Sequence, residues 1–261
     1  MSTSSPPSTC STPSRPNDAV NPYETTRLLD EYLLFHYGTP DEVLPWPEGP
    51  QSALGFAERT VSELADFSRQ PATALDLGCA VGRSSFELAR NGLDVLGIDF
   101  SQRFIDAASA LASGEALAYR RLDEGAAATE LVARAPDVTP RGQVSFESGD
   151  AMNLRADLGA FDLVHAANLL CRLTDPERLI GRLPSLIKPG GQLLLTTPCT
   201  WLEEFTPRGH WPQGSTFEWL QDQLGGEFVL DLRKDLPFLI REHARKYQWS
   251  VALGTRWIRR G

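Results

Sequence analysis

Residues 73–100 read TALDLGCAVGRSSFELARNGLDVLGIDF, and this stretch decides the fold. Ala74, Leu75 and Leu77 form a short apolar run. Gly78 and Gly82 bracket a turn, and Ser84 to Arg90 continue with helical spacing. Leu93 to Ile98 is a second apolar strand, ending at Asp99. Continuous hydrophobicity is the pattern of a strand buried on both faces of a parallel sheet. Strand, helix and strand within about 30 residues make a right-handed βαβ unit. Glycines after the first strand let the backbone approach a ligand closely. Asp99, 23 positions beyond Asp76, stands where an acid grips a ribose diol.

The glycine spacing is Gly78-x-x-x-Gly82, whereas dinucleotide-binding turns carry G-x-G-x-x-G. This disfavours a nicotinamide dehydrogenase. The string from Asp76 to Gly82, D-x-G-x-x-x-G, resembles motif I of the class I S-adenosylmethionine (SAM) methyltransferases. Ala80 stands where that motif often has another glycine. The resemblance implies SAM as cofactor and an α/β, Rossmann-like, seven-stranded fold, with an N-terminal helical lid and an antiparallel C-terminal strand pair. It implies that Asp76, Gly78, Cys79, Gly82 and Arg83 form the turn at the methionine end. Asp99 and Phe100 fall at the ribose, and Asp150 and Ala151 at the adenine.

Composition narrows the class. Hydrophobic residues make up 41% and charged residues 23%, which suits a globular domain with a good core. Net charge is −9, against the basic face that nucleic acid would require. No apolar run approaches the roughly 20 residues of a membrane span. Cys10, Cys79, Cys171 and Cys199 form no C-x-x-C pair, so neither a zinc site nor a disulfide framework is expected. Free thiols in a reducing, cytoplasmic setting are expected instead. Residues 1–20 are rich in Ser, Thr and Pro and lack a signal-peptide core, which predicts a disordered tail before one domain over 21–261.

From residue 21 onward, NPYETTRLLDEYLLFHYG has helical apolar spacing, with Asn21 as cap, Pro22 in the first turn and Gly38 as stop. Its aromatic content suits a lid. Residues 39–55 are loop-like, with Trp46 as an apolar anchor, and residues 53–69 are predicted helical. Residues 101–112 are a helix capped by Ser101. Residues 113–142 form an insertion without an assigned role, in which LAYRRLDEG alternates like a strand and AAATELVARA looks helical. VSFESGDAMNL is a strand ending near Gly149-Asp150. FDLVHAANLLCRL is a central strand whose exit carries His165, Asn168 and Arg172. His165 lies inside the strand run and reads as a core histidine. Asn168-Leu169-Leu170-Cys171 is not the Asn-Pro-Pro-Tyr type motif of DNA and protein amide methyltransferases. Pro189-Gly190-Gly191 turns into a further strand, followed by a polar, aromatic loop with Trp201, His210 and Trp211. A helix over 216–224 and two strands complete the chain.

Several of these stretches together resemble one family, the methyltransferase of ovothiol biosynthesis (4-mercaptohistidine N1-methyltransferase). They are NPYETTRLLDEYLLFHYG, ALDLGCAVGRSSFELAR, VSFESGDAMNL, FDLVHAANLLCRL and LPFLIREHARKYQWS. That resemblance implies N-methylation of the imidazole of 5-thiohistidine, giving ovothiol A, after a separate sulfoxide synthase has made the carbon–sulfur bond. The expected catalytic set is Asn168, Tyr32, His36 and Arg172, with Asn168 also beside the cofactor. Expected substrate contacts are Tyr23, Tyr32, His36, Arg172, Trp201, Trp211 and Arg241. The two arginines, Arg172 and Arg241, would take the carboxylate by bidentate pairing. Methylation of another small metabolite, or a non-catalytic SAM-binding partner protein, are the alternatives.

Overall fold

The computed structural model describes residues 22–136 and 142–261. The expected tail and Asn21 lie outside the described residues. β1 (Thr73–Leu77) is buried from Ala74 to Leu77 because it lies at the middle of the sheet. It pairs in parallel with β2 (Asp94–Asp99) on one side and β6 (Phe161–Ala167) on the other. β5 (Val144–Ser148) extends the sheet beyond β2, and β7 (Ile187–Thr197) extends it beyond β6, both in parallel. β8 (Phe228–His243) and β9 (Lys246–Arg259) form a long antiparallel hairpin. β9 docks antiparallel on β7, giving the order β5-β2-β1-β6-β7-β9-β8. This is the expected seven-stranded sheet with its antiparallel strand pair.

Helices cover both faces, as a largely parallel sheet requires. On one face α6 (Pro176–Leu186) and α7 (Thr216–Leu224) bury Leu179, Leu183, Leu186, Leu220 and Leu224 against Leu75, Leu77 and Val164. On the other, α3 (Phe56–Ser62) and α4 (Arg83–Arg90) bury Phe56, Val61, Leu88 and Ala89 beside Leu163 and Leu194. α5 (Gln102–Ala112) follows β2 with Ser101 as its cap, its hydroxyl accepting from Phe104 N. Pro189-Gly190-Gly191 becomes an irregularity inside β7. A side chain at Gly191 would lie 2.9 Å from Asp162 O.

Three expectations change. The lid helix α1 (Thr26–Tyr37) is capped by Thr25, whose hydroxyl accepts from Leu28 N, after a 3-10 turn at Pro22–Glu24. The helix expected over 53–69 is shorter, because Gly55, in the left-handed region, starts it and a 3-10 turn at Phe67–Arg69 follows. AAATELVARA is a strand: β4 (Ala127–Ala133) pairs antiparallel with β3 (Leu117–Glu124).

The β3–β4 hairpin has a place in the architecture. Tyr119 and Ala133 are buried with Leu33 and Leu34 of α1, Val43 of the short α2 (Pro40–Val43), and Phe104 and Leu111 of α5. Asp123 O accepts from Ala244 N at 2.8 Å, tying the insertion to the tip of the β8–β9 hairpin. Trp46 is half exposed rather than an apolar anchor, and its indole donates to Ala244 O at 3.1 Å.

Candidate active site

The strand order reverses at β1, between β2 and β6, which places a ligand crevice beyond the carboxyl ends of these strands. Gly78, Asp99, Asp150 and Asn168 all lie at those ends. The turn after β1 has left-handed backbone at Gly78 (φ +68°), Ala80 (φ +48°) and Gly82 (φ +86°). Gly78 N and Cys79 N both donate to Ile98 O, at 2.8 and 3.2 Å. A Cβ at Gly78 would come within 3.1 Å of Leu169, and one at Gly82 within 2.7 Å of the Phe146 ring. The glycines therefore serve close protein packing as well as any ligand. Ala80 carries the strain that a glycine would not.

Asp99 braces this turn. Its Oδ2 accepts from Ala80 N and its Oδ1 from Ser101 N, both at 2.9 Å. Burial is the largest influence on its carboxyl and, with a smaller push from Asp76, lifts the pKa to about 6 against the pull of the backbone amides. The buried Cys79 thiol is pushed well above its ordinary value, chiefly by burial, so it is a protonated spacer at neutral pH.

Asp76, expected at the methionine end, has its carboxylate committed inside the protein. Oδ1 meets His165 Nδ1 at 2.7 Å and Oδ2 accepts from Ser85 at 2.6 Å. His165 Nε2 lies 3.0 Å from Thr60 Oγ1. Asp76, His165 and Thr60 are each at most 1% exposed. This buried chain joins β1, β6 and α3 beneath the turn, so Asp76 supports the turn and does not face a ligand. His165 is the core histidine its position in the strand predicts.

An aromatic and cationic group forms where α1 and the turn before it meet the exit of β6. The Tyr23 hydroxyl accepts from the Arg172 guanidinium, and Asp99 and Cys171 are close enough to influence it. Arg172 packs over the Phe205 ring at 4.7 Å. Tyr32 meets Tyr23 edge-on at 6.2 Å between ring centroids and stacks on His36 at 5.8 Å. Burial is the main cause that raises the pKa of both phenols, so they remain neutral donors. Asn168 takes the left-handed conformation (φ +53°) at the exit of β6, which asparagine tolerates. Its Oδ1 accepts from the Thr196 hydroxyl at 3.0 Å, leaving its NH2 as a donor toward a ligand. Thr196 and Phe205 escaped the sequence reading, since their partners lie 28 and 33 positions away along the chain.

Other expected residues fall elsewhere. Arg241 is a correction: it is 5% exposed, donates to Glu42 O at 2.9 Å and pairs with Asp123 at 3.1 Å. It fastens the insertion and α2 to β8, so its guanidinium is committed within the protein and is not offered to a substrate carboxylate. Trp201 donates to Thr216 at 3.0 Å and packs edge-on against Trp219. Trp211 donates to Thr206 O at 2.7 Å. Both indoles thus pin the loop after β7. Asp150 accepts from Met152 N at 2.8 Å through Oδ1, and its Oδ2 has no protein partner among the described residues. Ala151 is buried beside it, and Phe100 is 65% exposed at the end of β2. Arg83, expected at the methionine end, instead pairs with Glu58 and lines, with His36, a cavity behind α1.

These residues fit SAM. Asp99 supplies a carboxylate for a ribose diol, Asp150 a spare acceptor for an adenine amine, and the strained turn a backbone rim. Among the described residues, no group of three or more His, Cys, Asp or Glu is placed to hold a metal ion. No helix among them is long and apolar enough to cross a membrane.

A family model described as a methyltransferase domain matches residues 52–230. The chain belongs to the methyltransferase-domain family. The domain is of the SAM-dependent class in fold. A SAM-dependent methyltransferase of Methanosarcina mazei superimposes with a TM-score of 0.51 at 19% identity, covering 72% of this chain and 92% of that one. Magnesium protoporphyrin IX methyltransferase of Synechocystis, solved with bound S-adenosylhomocysteine, gives 0.50 at 19% identity over 78% and 83%. Among curated proteins, the ubiquinone biosynthesis O-methyltransferase of Coxiella burnetii is 30% identical over 123 residues, 47% of this domain's chain. Norajmaline N-methyltransferase of Rauvolfia serpentina is 27% identical over 131 residues, 50% of the chain. The chain matches only 42% and 37% of the lengths of these two relatives.

Proposed function

We propose that this methyltransferase domain transfers a methyl group from SAM to an imidazole nitrogen of 5-thiohistidine, giving ovothiol A. The observation that carries this reading is where the family-specific stretches meet. NPYETTRLLDEYLLFHYG forms the lid, with Tyr23, Tyr32 and His36. LPFLIREHARKYQWS forms the end of β8 and its turn, where Arg241 and Ala244 hold the β3–β4 hairpin against that lid. Two segments about 200 residues apart resemble the ovothiol family, and both pack on the same β3–β4 hairpin.

The chemistry suits the site. SAM supplies an electrophilic methyl group on a sulfonium, a leaving group that needs no acid. The protein has to hold nucleophile and methyl about 3 to 3.5 Å apart and in line. An imidazole nitrogen brings its own lone pair, so orientation outweighs proton transfer. Tyr23, Tyr32 and the Asn168 amide are neutral donors that orient without deprotonating. The thiolate of the substrate is the better intrinsic nucleophile, so the cleft must turn it away from the methyl. Arg172, held by Tyr23 and Phe205, is placed to pair with it. A separate sulfoxide synthase would supply the substrate.

The test is mass spectrometry of the product formed from SAM and 5-thiohistidine, fragmented to locate the added methyl. A methyl on the ring nitrogen supports the reading. A methyl on sulfur, or none while SAM binding is retained, overturns it.

A further inference from the structure

A cavity of about 230 Å³ lies behind the C-terminal half of α1, walled by Phe35, His36, Tyr37, Glu58, Arg83 and Arg134. Two of its polar side chains end on atoms that have no partner among the described residues. Arg83 is 8% exposed, and its Nη1 is buried without a hydrogen-bond partner. The Nδ1 of His36 is likewise buried and unpaired. A buried donor without an acceptor costs about 1–3 kcal/mol, more when charged, and proteins rarely leave one unless something else meets it. Here two such atoms share one void. Arg83 is the first residue of α4, directly after Gly82 of the cofactor turn, and its other nitrogen pairs with Glu58. His36 stacks on Tyr32, so the cavity adjoins the aromatic group of α1. Tyr37 donates to Val81 O at 2.6 Å, which fastens α1 to the turn.

We infer that this cavity receives the amino-acid end of the substrate, with the α-carboxylate on Arg83 Nη1 and the α-ammonium on Glu58. The fixed groups carry a carboxylate and a guanidinium side by side, which is the complement of a zwitterion. Aromatic faces from Phe35, His36 and Tyr37 leave room for the side-chain stem. Burial holds the His36 pKa at about 4, so the ring is neutral and its Nδ1 can donate or accept. The inference deepens the function proposed above and rests on it only for the identity of the ring. The carboxylate position moves from Arg172 and Arg241, expected from sequence, to Arg83.

The experiment is calorimetric titration of the full chain saturated with S-adenosylhomocysteine. The probes are 5-thiohistidine, its decarboxylated amine, its N-acetyl derivative and the common L-amino acids. The expected result is that 5-thiohistidine binds about tenfold or more tighter than the amine, as loss of a charged hydrogen bond implies. Arg83→Gln should erase that difference. Glu58→Gln keeps Arg83 and should erase only the discrimination against the N-acetyl derivative. The comparison of ligands on the unmodified protein requires no variant to fold. If another amino acid shows the carboxylate preference and 5-thiohistidine does not bind, the cavity assignment stands and the imidazole reading falls. If no amino acid is preferred over its amine, the inference is overturned. It is overturned equally if Arg83→Gln weakens S-adenosylhomocysteine, since the cavity would then hold the methionine tail.

Discussion

At the scale of single residues, Asp99 sets the conditions for cofactor binding. Its carboxyl titrates near 6 because burial disfavours the charge, while a ribose diol needs the ionised form as acceptor. SAM should therefore bind about tenfold more weakly at pH 5 than at pH 7, by linkage to that one proton. For stability the sign is opposite to the common acid case. The folded state takes up this proton more readily than the unfolded chain, so Asp99 costs stability as pH rises from about 4 to about 6. Asp99→Asn should weaken SAM by about 1–3 kcal/mol and remove the pH dependence. Calorimetry from pH 5 to 7 tests both, and a variant with the original pH profile would refute the assignment. Ala80 offers a second case. Its left-handed backbone costs about 1–2 kcal/mol, while a glycine gives the unfolded chain about 0.4–1 kcal/mol of extra freedom. Ala80→Gly should thus stabilise by roughly 0.5 kcal/mol, and a lower melting temperature would count against strain at this turn. His165→Ala would strand the Asp76 carboxylate in the core. The expected loss is about 3 kcal/mol, on the order of 6–12 °C in a thermal melt; an unchanged melt would show that the buried chain contributes nothing.

At the scale of elements, the lid and its fastenings explain what the sequence could and could not disclose. The central strands were legible because a buried parallel strand writes its apolar run locally, as in Leu75 to Leu77. The cap at Ser101 was equally local. β4 was not legible, since AAATELVARA has alanines at helical frequency, and only pairing with β3 makes it a strand. The carboxylate assigned to Arg241 failed for a related reason. Its partners, Glu42 and Asp123, are 199 and 118 positions away, and nothing near residue 241 signals them. Arg241→Met should accordingly lower the melting temperature without a selective rise in KM for the amino-acid substrate. A raised KM with an unchanged melt would restore Arg241 to the substrate. The front of α1 is held to α5 by Ser101 donating to Tyr23 O at 3.1 Å and Arg103 to Thr26 at 2.9 Å, and to the exit of β6 by Arg172 donating to the Tyr23 hydroxyl. Tyr23→Phe deletes that acceptor, and SAM should dissociate about tenfold faster; stopped-flow displacement that shows the same rate would remove the latch from the account.

At the scale of the whole molecule, function collects on one edge of the sheet because four parallel strands end there together. The glycine turn, Asp99, Asp150 and Asn168 come from four separate strands, and a single reversal of strand order at β1 opens the space between them. The order of strands in space also differs from their order in synthesis. β9 follows β8 along the chain, yet it lies between β7 and β8. While a ribosome is still making residues 246–259, β7 presents an unpaired apolar edge and β8 has no neighbour. Such edges invite pairing with other chains. Until residues 246–259 are made and docked, the nascent protein therefore exposes the edge of β7, and a chaperone that shields β7 during that interval should raise the yield of native protein.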